Sequence, residues 1–157
     1  GKNGGVAAAR NLGIRAAVGK YVALLDQDDL FLPGKLRRQV AELEANPRAV
    51  LCHANILMID EFGKPVPAAH LGHQPGHGPP SGSVLARLFE WNFVLACTVL
   101  MRRDAVIALG GFNGRLWGTD DYELWLRLAT RGEFIYVDEI LARYRWHASN
   151  ASRNTVA

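Results

Sequence analysis

Long apolar runs, cysteine clusters and blocks of a single charge are all missing from this 157-residue sequence. No uninterrupted apolar stretch reaches the ~18 residues that a membrane-spanning helix needs. No secretory signal pattern is visible, so the cytoplasm is the default expectation, with attachment at the inner face of a membrane left open. Two cysteines, Cys52 and Cys97, lie in apolar segments, and neither belongs to a CxxC or zinc-spaced Cys/His set. That excludes a disulfide framework and a structural zinc site and predicts two buried thiols. There is no Lys/Arg run and no alternation of basic and aromatic residues. The net charge of +3 tolerates an anionic substrate but is too small to argue for nucleic acid. No internal repeat is visible. What remains, 49% hydrophobic and 21% charged residues, suits one soluble domain with a sizeable core.

The stretch that stands out is YVALLDQDD, residues 21–29. Its apolar run predicts a strand buried on both faces, and it ends in Asp26, Asp28 and Asp29. Open α/β sheets bind ligands beyond the carboxyl ends of their strands. In an extended chain Asp26 and Asp28 project to one side, where they repel unless a cation, a proton or a donor lies between them. A divalent ion carrying phosphate oxygens is one occupant that chemistry allows. A polar loop with a capping aspartate is the other reading.

Upstream, GKNGG is a glycine-rich loop opening an Ala-rich helix over residues 6–18, stopped by Gly19. Such a loop can cradle phosphate, but it ordinarily follows a strand. We therefore expect the chain to begin inside a domain. Downstream, residues 35–45 predict an amphipathic helix with Leu36, Val40 and Leu43 on its apolar face. Residues 49–59 predict a strand, 61–64 a turn, and Pro65-Val66 a short hairpin return. Residues 68–83 are rich in Gly, Pro and His and read as a mobile surface loop. The spacing of its His70, His73 and His77 fits no metal-ligand pattern. A short helix over 84–91, a buried strand over 96–101 and a helix over 103–109 come next, closed by Gly110-Gly111. Tyr122, Trp125, Leu126 and Ala129 predict one apolar face of a helix. Thr119, Asp120 and Asp121 stand at its start, where capping and the helix dipole favour carboxylates. Trp117 precedes them, and an aromatic beside carboxylates is a common way to hold a sugar ring. Strands are predicted over 133–138 and 140–147, the second ending at His147, and residues 148–157 form a polar tail.

Five pieces in order resemble the family 2 glycosyltransferases of GT-A fold: NGGVAAARNLGI, GKYVALLDQDD, the GGF at 110–112, GTDDYELWLRLATRG and LARYRWHASNAS. The resemblance spans most of the chain and implies a single incomplete GT-A domain over 1–157. In such an α/β, Rossmann-like fold a mixed sheet is flanked by helices, and here the N-terminal nucleotide-binding part of the domain would be absent. It further implies an enzyme moving a sugar, with inversion, from a nucleotide-diphospho-sugar to the hydroxyl of a saccharide or lipid-linked acceptor, in cell-surface polysaccharide or glycoconjugate synthesis.

By the resemblance, DQDD is the DxD motif. Asp26 would contact the donor's ribose or sugar, and Asp28 would hold Mg²⁺ or Mn²⁺ on the diphosphate. Asp29 is left to hydrogen-bond the loop. Asp120-Asp121 corresponds to a Glu-Asp motif with Asp in first place, Asp121 being the general base. His147 would complete the metal shell, and Trp117 would contact the acceptor. Arg10 and Asn11 match an Arg-Asn pair on the nucleotide side. A supporting ion pair for Arg10 and a helix-surface amide for Asn11 stay open beside that reading. Two other functions stay open with the transferase: a catalytically silent fragment or binding module of this fold, and a metal-dependent nucleotidyl- or phosphotransferase.

Overall fold

The computed structural model of the chain describes residues 4–66, 78–148 and 150. Helix α1 (Gly5–Ala16) leads to strand β1 (Tyr21–Ala23), and a short β2 (Leu30–Phe31) precedes α2 (Lys35–Ala45) and β3 (Ala49–Ile59). After α3 (Leu85–Glu90), a 3₁₀ turn (Ala96–Thr98) enters β4 (Leu100–Arg102), followed by α4 (Arg103–Ala108), α5 (Asp120–Ala129) and β5 (Glu133–Arg145). The five strands form one sheet in the order β1-β4-β3-β5-β2. Only β3 and β5 run parallel; the other pairs are antiparallel, so the sheet is mixed. Leu43 of α2 packs with Cys52, Ala54, Val137 and Leu141 in one apolar cluster. The larger cluster gathers α1, α3, α4 and α5 around Leu51, Met101, Trp125 and Phe134. Helices therefore cover the sheet, an α/β architecture.

Several expected elements come out differently. The strand predicted from the apolar run at 21–25 shrinks to Tyr21–Ala23, with Val22 buried between two half-buried neighbours. Among the described residues β1 pairs with β4 alone, at the end of the sheet, and only Val22 of its three residues is buried. The buried face of α2 is Lys35, Gln39 and Leu43, while Leu36 is exposed. The reason is polar: Gln39 Nε2 donates to the Thr98 and Cys52 carbonyls at 2.7 and 3.1 Å, and Lys35 Nζ donates to the Val99 carbonyl at 3.2 Å and to Gln39 Oε1 at 2.7 Å. The 3₁₀ turn there replaces the first half of the strand expected over 96–101, and its carbonyls are satisfied by α2. In α5 the buried set is Leu124, Trp125, Leu128 and Ala129, with Tyr122 and Leu126 half-buried. Trp125 is fully buried, and its indole N–H donates to the Val94 carbonyl at 3.2 Å.

The two strands expected over 133–138 and 140–147 are one continuous β5. Its parallel register with β3 absorbs a shift at Ala54/Asn55, where Val137 and Ile140 become successive partners. Of the loop read over 68–83, residues 68–77 with all three histidines lie outside the described residues. Residues 81–82 are not free: Gly82 exchanges both backbone hydrogen bonds with Phe134 at 2.8 and 2.9 Å, and Ser81 Oγ accepts from the Tyr136 N–H. The hairpin return at 65–66 is present, with the Val66 N–H donating to the Met58 carbonyl at 3.0 Å. Both cysteines are buried free thiols, and burial pushes Cys52 up to about 12. Neither is available as a nucleophile at neutral pH.

Candidate active site

Beyond Ala23 the chain leaves the sheet and turns, the Asp29 N–H donating to the Asp26 carbonyl at 3.2 Å. The turn overrides the extended spacing that would aim Asp26 and Asp28 at one point. Asp26 instead receives a fork from Arg10, whose Nη2 lies 3.0 and 3.1 Å from its two oxygens. Asp28 faces the other way along the site, with Oδ2 3.0 Å from His147 Nε2. Asp29 is buried and accepts the Arg145 N–H at 2.9 Å. Burial lifts its carboxyl to about 6, against that hydrogen bond.

Arg145 is a residue that sequence reasoning missed. Besides its N–H on Asp29, its guanidinium donates to the Asp28 carbonyl and the Asp60 carbonyl, both at 2.9 Å. It thus nails the acidic turn to the end of β3 and to β5. Asn150 does similar work for His147: its side chain accepts the His147 N–H at 2.5 Å and donates to the Arg145 carbonyl at 2.9 Å. Asn150 is buried, so this part of the expected polar tail belongs to the site. The signal for Arg145 was its place two residues before His147. Nothing local marked Asn150.

On the opposite side, α5 begins at Asp120. Of the acidic start expected to cap the helix, only Asp121 accepts a first-turn N–H, that of Tyr122. Thr119 makes no side-chain cap, and Asp120 turns its carboxylate to Arg10 Nη1 at 3.4 Å, where only 9% of the side chain stays exposed. Asp121 is half-buried and accepts the adjacent Tyr122 N–H at 2.6 Å. Burial raises its pKa, outweighing that hydrogen bond and the nearby Arg10 charge. A raised pKa makes a better proton acceptor. Trp117 stands in the preceding turn, 68% exposed.

Arg10 is therefore shared between the two halves: it contacts Asp26 and Asp120 at once, and its guanidinium lies over the Phe112 ring, 5.3 Å from the centroid. Asn11 is no surface amide. Its carboxamide donates to the Phe112 carbonyl and accepts the Phe112 N–H, both at 2.8 Å. Gly111 makes that clamp fit, since a Cβ there would lie 2.2 Å from Asn11 Oδ1.

The donor set at Asp28 and His147 fits a divalent cation that accepts both oxygen and nitrogen ligands. One carboxylate oxygen and one imidazole nitrogen 3.0 Å apart match neighbouring vertices around an ion with ligands near 2.1 Å, which sit roughly 3 Å apart. Among the described residues no third His, Cys, Asp or Glu joins them. Such a pair suits an ion that takes its remaining ligands from phosphate and water.

Residues 1–110 match the sequence model of the family described as Glycosyl transferase family 2. The chain belongs to that family. An uncharacterized glycosyltransferase of Rickettsia felis is 32% identical over 144 residues, 92% of this chain and 23% of that protein. The amylovoran biosynthesis glycosyltransferase AmsE of Erwinia amylovora is 33% identical over 131 residues, 83% of this chain and 46% of its own length. The chain thus spans less than half of these family 2 relatives. Among solved structures, S. aureus TarS 1–349 in complex with UDP aligns with a TM-score of 0.66 at 14% identity, over 92% of this chain and 41% of that one. The mannosyltransferase PcManGT of Pyrobaculum calidifontis, in complex with GDP-Man and Mn²⁺, aligns at 0.62 and 16% identity, over 94% and 38%. At those identities the likeness is one of fold, and the fold is the GT-A glycosyltransferase fold.

Proposed function

We propose that this family 2 chain carries the metal and base side of an inverting glycosyltransferase that uses a nucleotide-diphospho-sugar. The observation that carries the reading is the pairing of two acidic groups across one site. Asp28 with His147 offers a divalent-ion donor pair, and Asp120-Asp121 starts a helix on the other side, with Arg10 touching both halves. Family membership supports glycosyl transfer, and the fold neighbours' complexes with UDP, GDP-Man and Mn²⁺ are consistent with a nucleotide-sugar donor and a divalent ion.

In this reading Asp28 and His147 hold Mg²⁺ or Mn²⁺, which when bound neutralises charge on the departing diphosphate. Asp26, with 43% of its side chain exposed, accepts a hydroxyl of the donor's ribose or sugar. Asp121 takes the proton of the acceptor hydroxyl as that oxygen bonds to the anomeric carbon, and the nucleoside diphosphate leaves from the opposite face. One displacement inverts the anomeric centre, and no covalent enzyme intermediate forms. Trp117 offers an exposed ring to the acceptor sugar. Synthesis of a cell-surface polysaccharide or glycoconjugate is the setting that suits such an acceptor. No described helix is long and apolar enough to cross a membrane.

The test is a panel of nucleotide-sugars with Mn²⁺ and Asp121→Asn. Transfer should fall about 10²- to 10⁴-fold, the usual worth of a general base, while calorimetric affinity for the nucleoside diphosphate stays within about threefold. Undiminished turnover in Asp121→Asn would remove the base assignment. Pyrophosphate release without sugar transfer would point to nucleotidyl transfer instead.

A further inference from the structure

Arg10 bridges the two acidic halves of this site. It lies on α1, and its side chain is only 13% exposed. One of its amino groups forks onto both oxygens of Asp26, and the other reaches Asp120 across 110 residues of sequence. The ring of Phe112 backs the guanidinium, and Phe112 is itself gripped on its backbone N–H and carbonyl by the next residue, Asn11. The guanidinium is thus fixed from behind and shared in front. Arginine suits this because its donors form a rigid planar fork, whereas lysine offers one mobile point charge. Without a cation between them, Asp26, Asp120 and Asp121 would repel one another.

We propose that Arg10 is a positioning residue, a fixed cation that holds the donor-side turn and the acceptor-side helix at one spacing so that Asp26 and Asp121 act as a single site. The proposal rests on the glycosyltransferase reading for its kinetic consequences, though not for its structural ones. It also reaches Asp121 electrostatically. The charged groups facing Asp121 are Arg10 from α1 and Asp120 of its own helix, and the Tyr122 N–H is its hydrogen-bond donor. Glu123 is neutralised by Arg127 at 2.6 Å. Replacing Arg10 removes the one cation in that set, so Asp121 should hold its proton to higher pH.

Two independent readouts test this. In the full chain, Arg10→Lys should lower kcat by roughly 10- to 100-fold with donor KM within about threefold. The acidic limb of the kcat–pH profile for Arg10→Gln should move to higher pH. The second readout needs no turnover. Asp120→Asn should lower the Tm of the wild-type chain, where it loses a cation partner, and raise it in the Arg10→Gln background, where it relieves repulsion. An Arg10→Lys enzyme with unchanged saturated turnover and a donor affinity more than tenfold weaker would make Arg10 a donor ligand and overturn the proposal. So would a Tm loss from Asp120→Asn that is equal in both backgrounds. Turnover surviving in Asp121→Asn would instead sink the base assignment, leaving the Tm comparison to decide the role of Arg10.

Discussion

Lys35 shows how much chemistry a single buried side chain can carry without belonging to the site. It is 1% exposed, its ammonium donates to Gln39 and the Val99 carbonyl, and it lies 4.2 Å from the centroid of the Phe31 ring. Burial lowers its pKa from 10.5 to about 8. The folded state therefore binds its proton less readily than the unfolded chain does. Below pH 8 both states are protonated and the folded one bears the full desolvation cost. Between pH 8 and about 10.5 the unfolded chain binds more protons, so stability rises with pH. The full gain is roughly 3 kcal/mol, since each tenfold loss of proton affinity on folding is worth about 1.4 kcal/mol. Urea unfolding of wild type and Lys35→Met across pH 7 to 10.5 checks this. The wild type should gain relative to the variant as pH rises, and parallel curves would refute the assignment. Asp29 follows the opposite sign: burial raises its pKa to about 6, so it favours folding more as pH falls from 6 toward 4.

Among the elements, the junction of α1 with the turn after α4 does the positioning. Gly110 and Gly111 both adopt left-handed backbone, with φ of 79° and 75°, and their N–H groups close α4 on the Ile107 and Val106 carbonyls at 2.9 and 3.0 Å. The turn presents Phe112 to Asn11 and its ring to Arg10. Gly111→Ala would face both a left-handed strain of about 1–2 kcal/mol and the loss of Asn11's two hydrogen bonds to Phe112, because the new methyl would overlap Asn11 Oδ1. We expect about 2–4 kcal/mol of destabilisation by urea midpoint, with hydrogen bonds left unmade at ~1–3 kcal/mol. Asn11→Ala, which adds no strain, should cost about half of that. A Gly111→Ala chain as stable as wild type would show that the clamp yields. The glycine pair and the Arg-Asn pair were both legible as motifs. Their meeting was not, since 101 residues separate Asn11 from Phe112.

For the molecule as a whole, the spine is the parallel pairing of β3 with β5, ten residue pairs from Ala49/Glu133 to Ile59/Arg145. It sets the distance between the acidic turn, tied to Arg145, and α5, which packs beneath on Leu124, Trp125 and Leu128. Phe134 is fully buried at the start of that spine. Phe134→Ala should cost about 3–5 kcal/mol through lost burial and the cavity left behind. Against a typical total of about 5–15 kcal/mol, that lowers the denaturation midpoint of the whole chain without changing the slope. A change in slope would mean that the variant alters the compactness of the unfolded or folded state or that the domain no longer unfolds as one unit.

Local order along the chain was enough for several of the longer elements and for the family. Helices over 6–18 and 35–45 and a strand over 49–59 follow from propensity, periodicity and stop signals, the first helix ending earlier than expected at Ala16, and the five ordered motifs point to the GT-A fold. These are properties of neighbours in the chain. Partners were another matter. Periodicity in α2 selected Leu36 for burial, yet Lys35 and Gln39 go inside because carbonyls of a distant 3₁₀ turn need donors. Spacing put Asp26 and Asp28 together, yet a turn sends one to Arg10 and the other to His147. Which partner each carboxylate meets depends on residues 16 to 119 positions away. Long-range packing makes that choice, because each buried polar group must find a partner wherever the fold supplies one.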